Sequence, residues 1–155
     1  MTRPKRCHYV VSACLAGLAC RYDGGSNACG AVVALVRAGL AVPACPATLG
    51  ELPVPREPCE QRDGRVVSRD GIDRTEAFLR GSRKALDVAL AHGCRAAILK
   101  SRSPSCGCGR IYDGTFTRTL IPGMGTWARL LREAGLELYT EENLPPLEMT
   151  NAPKP

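Results

Sequence analysis

Three short apolar runs along the chain are typical of buried β-strands. They span residues 8–12, 40–43 and 96–99, with Gly, Ser or Pro at or near their ends. Segments long enough to form helices lie between them. This alternation of strand and helix predicts an α/β fold with a mainly parallel sheet flanked by helices, a Rossmann-like arrangement.

Apolar residues at helical spacing predict the flanking helices. One is expected over residues 27–40, with Gly39 as its C-terminal stop. A second is expected to begin after residues 73–76, which resemble a capping box, and to end at Gly93. The remaining predicted elements are a hairpin or turn at 111–116, a helix at 127–134 stopped by Gly135, and a last strand at 136–140.

Residues 43–71 are expected to form a long irregular loop. Its prolines exclude a regular helix, and they are Pro43, Pro46, Pro53, Pro55 and Pro58. Loops of this length in compact domains are more often functional than idle. We expect a single domain over residues 1–155, with its core at about 7–141 and a mobile tail at 145–155.

The cysteine content narrows the class of protein. The chain has 155 residues, nine of them cysteine, and no recognisable secretory leader. An odd, high cysteine count of this kind indicates a reducing cytoplasm, where thiols bind metal or do chemistry rather than form disulfides. The apolar run after residues 1–6 is too short for a signal peptide or a membrane span. We expect a soluble, cytoplasmic protein with no membrane partner.

The charge of the chain excludes few classes of binding partner. The net charge of +6 permits attraction to phosphates, but the arginines are scattered along the sequence rather than gathered in a basic block. No RNA-binding aromatic signature or zinc-finger spacing is present. Binding to tRNA is therefore possible without being indicated.

Three cysteines follow the three predicted strands, namely Cys14, Cys45 and Cys106. Because ligands gather at the carboxyl ends of parallel strands, we expect these thiols to face one crevice. Soft thiolates select zinc, copper(I) or iron-sulfur clusters, and the CxxC pairs favoured by structural zinc are absent. Three widely separated cysteines suit a cubane better, and a [4Fe-4S] cluster held by three of them keeps one iron open.

Several motifs in the same order resemble the thiouracil desulfidase family. They are VSACL at 11–15, CRYDG at 20–24, Cys45-Pro46 with LPVPR at 52–56, KSRSPSCG at 100–107 and YDGTF at 112–116. The resemblance extends over nearly the whole chain, to about Thr140. A set of independent motifs in one order is much more specific than any one of them.

The resemblance implies a cytoplasmic enzyme that converts thiouracil to uracil and hydrogen sulfide without net redox change. It implies a [4Fe-4S] cluster bound by Cys14, Cys45 and Cys106, with the thiocarbonyl sulfur on the open iron and water attacking the carbon. Tyr22 and Asp23 are the expected substrate contacts, together with Ser105. Tyr22 could equally pack in the core, and Asp23 could simply form a turn.

Family members carry a glutamate two residues after the second cysteine, and here that position holds Ala47. A methyl group cannot accept or donate a proton. We interpret the chain as an inactivated variant; the alternatives are a natural member that uses another acid such as Glu51, or a homologue with altered function. The family also has a catalytic serine just before the third cysteine, for which Ser103 is the first choice, ahead of Ser101 and Ser105.

Other interpretations stay open. Cys20 or Cys108 could supply a fourth ligand, which would close the cluster. The thiols could hold zinc in a non-catalytic module, or the desulfidase could act on thiolated nucleosides or tRNA. Arg21, Arg56 and Lys100 could balance the charge of the cluster or of a substrate. The serines could be turn formers, and the other cysteines buried or surface thiols, namely Cys7, Cys29, Cys59 and Cys94.

Overall fold

A four-stranded parallel sheet forms the centre of the computed structural model, which describes residues 6–146. The strands of the chain are β1 Tyr9–Ser12, β2 Ala41–Ala44, β3 Cys59–Arg62, β4 Arg65–Ser68, β5 Ala96–Leu99, β6 Cys108–Tyr112, β7 Leu120–Met124 and β8 Glu137–Thr140. The helices are α1 Gly30–Arg37, α2 Pro46–Leu49, α3 Thr75–Ala91 and α4 Thr126–Glu133, with a 3₁₀ turn at Ala13–Ala16.

The central sheet has the strand order β2-β1-β5-β8, and all of its pairs are parallel. Tyr9 at the start of β1 lies opposite Ala41 on one side and Ala96 on the other. The three predicted strands and the predicted final strand are therefore present, and the α/β prediction is confirmed.

Helices cover both faces of the sheet. Because successive strand residues point to opposite faces, neighbours in one strand belong to different clusters. Val10 packs with α3 and α4 in a cluster that includes the fully buried Trp127, whereas Val11 packs against α1. Burial on both faces explains why β5 reads as an unbroken apolar run, with all of its residues buried.

The expectation of an irregular loop over residues 43–71 is wrong. The segment contains α2 and an antiparallel hairpin of β3 and β4, in which Cys59 pairs with Ser68. Pro46 is the first residue of α2, where the amide hydrogen that proline lacks would have no intrahelical partner. The hairpin turns at Asp63 and Gly64, which both have positive φ, and an Asp-Gly pair is a standard hairpin signal.

Other boundaries differ by a few residues. The first helix, α1, is shorter than the predicted 27–40. No capping box forms before α3; instead the Asp73 carboxylate accepts the Thr75 amide at 2.9 Å. The predicted turn at 111–116 belongs to a hairpin of β6 and β7. Most of the predicted mobile tail, residues 147–155, lies outside the described residues.

Within the described residues, no helix combines the length and the apolar character that a membrane span requires.

Two glycines allow the backbones of α2 and α3 to pack in close contact. A Cβ atom on Gly81 of α3 would lie 1.7 Å from the Pro46 carbonyl oxygen, and one on Gly50 would lie 2.1 Å from the Ala77 carbonyl oxygen. Such distances are far below van der Waals contact, so neither position has room for a side chain. This contact places the N-terminus of α2, and with it Cys45 and Ala47, against the rest of the fold.

We predict that Gly81→Ala lowers the free energy of unfolding by about 2 kcal/mol or more, because the added methyl forces two backbones apart. Intrinsic helix propensity alone predicts the opposite sign, a gain of up to about 1 kcal/mol. Denaturant unfolding of the purified protein measures the difference.

Gly30→Ala is the matched control, since Gly30 also lies in a helix and a Cβ there would meet nothing within 4 Å. Its free energy of unfolding should be unchanged or slightly higher. Equal effects of the two substitutions would contradict the close packing of α2 on α3.

Candidate active site

A cavity of about 470 Å³ lies at the carboxyl ends of β1, β2 and β5. Its volume falls in the range of about 300–1,000 Å³ that is usual for small-molecule sites. Cys14, Cys45 and Cys106 all line it, together with Cys20 and Cys59. The structure thus brings the three expected cysteines to one cavity; their role as metal ligands stays a prediction.

Each of the three cysteines lies in a turn or loop that follows a strand of the sheet. Cys14 lies in the 3₁₀ turn that follows β1, and Cys45 is the N-cap residue between β2 and α2. Cys106 lies further along the chain, in the loop after β5. There the Ser103 hydroxyl accepts the Cys106 amide at 2.7 Å and the Ser105 amide at 3.2 Å. The serines of this loop therefore shape the turn that presents Cys106.

Two of the cavity thiols are acidic. Hydrogen bonding from the Cys20 thiol is the main cause for both: it lowers the pKa of Cys14 to about 7 and the pKa of Cys45 to about 5. The Thr48 hydroxyl assists by donating to the Cys45 sulfur at 3.3 Å. The same contacts raise the pKa of Cys20. Cys20 is therefore the protonated member of this trio and Cys45 its thiolate.

Cys106 has the opposite character. Burial raises its pKa to about 11, although hydrogen bonds from the hydroxyls of Ser105 and Ser12 oppose the effect. The Ser105 hydroxyl lies 3.5 Å from the Cys106 sulfur. A soft metal that binds this sulfur would have to displace its proton.

Positive side chains surround the thiols. The cavity is lined by six cationic residues, Arg21, Arg56, Arg69, Lys100, Arg102 and Arg118, and by a single carboxylate residue among the described ones, Glu60. Lys100 contributes to the low pKa of Cys14, and Arg56 to that of Cys45. This excess of positive charge suits thiolates or an anionic group in the cavity.

Within residues 6–146, no three His, Cys, Asp or Glu side chains are grouped closely enough to hold a single metal ion. The fit to a metal cofactor therefore rests on the cavity that the sulfurs share and on the chemistry of their lining. Soft thiolates with nearby cations suit an iron-sulfur or copper(I) centre.

The predicted serines differ in their surroundings. Ser101 is bound to Glu141: its hydroxyl donates to one carboxylate oxygen and its amide to the other, both at 2.8 Å. Burial of Glu141 opposes its ionisation, but hydrogen bonds from Lys100 and Ser101 leave its pKa below the ordinary value. Ser103, whose hydroxyl lies 3.2 Å from that of Ser105, faces the cavity beside Cys106. Both Ser101 and Ser103 line the cavity. The Ser101 hydroxyl donates to the Glu141 carboxylate, whereas the Ser103 hydroxyl accepts the amides of Ser105 and Cys106.

Ala47 is a buried residue of α2 and lines the cavity two residues after Cys45. Its side chain packs in a cluster with Phe78 and Val66. Glu51 is exposed, has a φ of 68° just beyond α2 and does not line the cavity. The structure therefore does not support Glu51 as a replacement acid.

Tyr22 lines the cavity and is 40% exposed, with the Arg21 guanidinium 5.9 Å from the centre of its ring. Asp23 does not line it, and its predicted substrate contact stays a prediction. The Asp23 carboxylate is instead paired with Arg21 at 2.9 Å and accepts the Gly25 amide at 2.9 Å, as a turn residue does.

Among the alternative fourth ligands, Cys20 lies in the cavity and Cys108 does not. Sequence reasoning missed the residues of the lining that belong to the two hairpins, namely Cys59, Glu60, Tyr112, Phe116 and Arg118. The Asp63-Gly64 pair was a signal for the first hairpin. No local signal places either hairpin against the cysteine loops.

The fold and the cavity define a class: an α/β protein whose cysteine loops meet at the carboxyl edge of a parallel sheet. A family model for 2-thiouracil desulfurase matches residues 9–143, and the chain belongs to that family.

The chain is also similar to two known proteins. The protein YbbK of Bacillus subtilis (strain 168), described as uncharacterised, is 41% identical over 145 residues, which cover 87% of this chain and 96% of YbbK. A solved structure of the [4Fe-4S]-dependent thiouracil desulfidase TudS is 42% identical, with a TM-score of 0.84. The match covers 95% of this chain and 97% of that one.

We predict that the cysteines of the cluster-free, reduced protein differ in how their alkylation depends on pH. Because the pKa of Cys45 is about 5, its rate with iodoacetamide should level off above about pH 6. Cys59, whose pKa burial raises to about 11, should react about tenfold faster per pH unit up to pH 9. Peptide mass spectrometry after timed quenching measures both rates.

Cys20→Ala and Cys20→Ser form the matched pair. The alanine variant loses the hydrogen-bond donor and should move the inflection of Cys45 to higher pH, whereas the serine variant should largely retain it. A Cys45 rate that rises in parallel with that of Cys59 in the unaltered protein would contradict the assignment of the thiolate.

Proposed function

We propose that this chain is a [4Fe-4S]-dependent desulfidase that converts thiouracil to uracil and releases hydrogen sulfide. Two comparisons support the proposal: membership of the 2-thiouracil desulfurase family and the likeness to a [4Fe-4S]-dependent thiouracil desulfidase. The single observation that carries it is that Cys14, Cys45 and Cys106, from three separate parts of the chain, line one cavity.

Cys14, Cys45 and Cys106 would hold the cluster. Bound by three cysteines, it would supply a Lewis-acidic iron with an open position for the thiocarbonyl sulfur. Cys14 and Cys45 are suited to this role because their pKa values, about 7 and about 5, favour the thiolate. Arg56 and Lys100 would offset the negative charge of the ligands.

Protons must move during the reaction, because water adds to the ring carbon and sulfur leaves as hydrosulfide. Ser103 is the proposed relay: it lines the cavity beside Cys106, and its hydroxyl lies 3.2 Å from that of Ser105. Ser105 in turn lies 3.5 Å from the Cys106 sulfur, so these hydroxyls form a short polar path along the wall. Tyr22 would contact the pyrimidine ring.

Ala47 limits this chemistry. Its methyl group occupies the position from which a family glutamate would exchange protons with the attacking water. We propose that the chain binds thiouracil but turns it over slowly.

The first experiment is anaerobic purification followed by iron, sulfide and zinc analysis. About four irons and four acid-labile sulfides per chain are expected of a cubane. Serine variants of Cys14, Cys45 and Cys106 should each lose most of the iron, because each removes one ligand. Cys108→Ser is the matched control and should retain it, since Cys108 lies outside the cavity lining. Stoichiometric zinc in a colourless protein would instead favour a non-catalytic metal module.

Cys20→Ser then separates an open cluster from a closed one. Full iron content with unchanged or faster sulfide release is expected if Cys20 is not a ligand. Loss of iron would make Cys20 a fourth ligand and would remove the open position.

We predict that Ala47→Glu raises the rate of sulfide release from thiouracil about 10²- to 10⁴-fold, the usual contribution of a positioned general acid-base. Ala47→Gln is the control: it has nearly the same size but no titratable proton, and it should give little gain. Sulfide release from thiouracil and from thiolated tRNA, measured at equal iron content, reports both the rate and the substrate. An unchanged rate in the glutamate variant would remove position 47 from the mechanism.

A further inference from the structure

The loop between β6 and β7, residues 113–119, holds two cavity residues in an unusual backbone conformation. Phe116 has a φ of 60° and Arg118 a φ of 62°, the left-handed region that residues other than glycine rarely adopt. Both side chains line the cavity. Strained backbone of this kind persists only where its surroundings impose it, and it is concentrated at ligand sites.

A buried carboxylate imposes the conformation. One carboxylate oxygen of Glu60, on β3, accepts the amides of Gly114 at 3.0 Å and Phe116 at 3.1 Å. A Cβ atom on Gly114 would lie 2.7 Å from the Gln61 carbonyl oxygen, so the loop also rests directly on the backbone of β3. Arg62 completes the contact by donating from Nε to the Gly114 carbonyl at 3.1 Å.

The ring of Phe116 is not part of the buried apolar clusters of the described residues. Phe78 belongs to a buried apolar cluster of the described residues, whereas Phe116 belongs to none of these clusters. The Phe116 ring is half-buried on the cavity wall, and the Arg69 guanidinium lies 5.9 Å from its centre. An aromatic face held in a cavity in this way is suited to stacking on a planar heteroaromatic ring.

We propose that Phe116 is the residue that stacks on the pyrimidine ring of the substrate, and that Glu60 is a positioning residue that acts through Phe116. The inference rests on the proposed function, and it names the side chain that holds the base. Tyr22 and Tyr112 also line the cavity. Phe116 has the stronger claim because a buried carboxylate holds its amide in a left-handed backbone conformation. The carbonyl of Tyr22 accepts the amide of Arg56 at 2.7 Å, and Tyr112 lies in β6.

Calorimetric titration with uracil, the unreactive product, tests the stacking role in the cluster-loaded protein. Phe116→Ala should raise the dissociation constant of uracil about tenfold, as expected for loss of one base-aromatic stack. Phe116→Tyr keeps the ring and should stay within about twofold of the unaltered protein. Ile121→Ala is the control, because Ile121 is 41% exposed on the same hairpin and does not line the cavity.

The role of Glu60 is tested in the same assay. Glu60→Ala should weaken uracil binding as much as Phe116→Ala does, and the double variant should be no weaker than either single one. Glu60→Gln keeps an oxygen that can accept both amides and should restore binding. Loss of binding in the glutamine variant, or full additivity in the double variant, would overturn the positioning role. Thermal unfolding of each variant confirms that it is folded.

Sulfide release measured in parallel separates the two proposals. Equal uracil affinity in the unaltered protein and in Phe116→Ala, with sulfide still released from thiouracil, overturns the stacking role and leaves the function intact. Uracil binding that depends on Phe116 without sulfide release, even after Ala47→Glu, supports the stacking role and overturns the function. A protein that neither binds uracil nor releases sulfide overturns both proposals.

Discussion

The parallel pairing of β1 with β2 and β5 is the constraint on which the site depends. Ser12 at the end of β1 lies opposite Ala44 at the end of β2, and Val11 lies opposite Ile98 of β5. Strands paired in this register end at the same edge, so the loops that follow them share one space. Cysteines separated by 31 and 61 positions in the chain, 14 to 45 and 45 to 106, thereby line one cavity.

The wall of the cavity is built by closer contacts. Two glycines allow α2 to lie backbone to backbone on α3, which holds Cys45 and Ala47 in the cavity lining. On another side, a carboxylate of the β3–β4 hairpin holds the loop between β6 and β7. The cavity is therefore formed by separate elements whose backbones are held by close contacts, in one case with another backbone and in the other with a buried carboxylate.

The electrostatics of the thiols follow from this arrangement and not from residue type. Cys45 and Cys106 are both cysteines next to a cavity, yet one has a pKa of about 5 and the other of about 11. The first is hydrogen-bonded by Cys20 and lies near Arg56, whereas the main influence on the second is burial. The difference between the two pKa values comes only from the groups around each thiol. The spacing of the cysteines along the chain does not reveal those groups.

The sequence by itself determined the strands of the sheet, the main helices and the family motifs, and it indicated that three cysteines follow predicted strands. These features could be read because apolar periodicity and residue spacing are local properties of the chain. The sequence misled over residues 43–71, where proline content suggested a loop although Pro46 starts a helix. Only the tertiary structure decided that Cys20, Glu60 and Phe116 lie in the cavity and that Cys108 and Glu51 do not. It also decided that Cys14 and Cys45 are the acidic thiols. Those facts depend on contacts between segments distant in the chain, and such contacts exist only once the sheet and its hairpins have packed together.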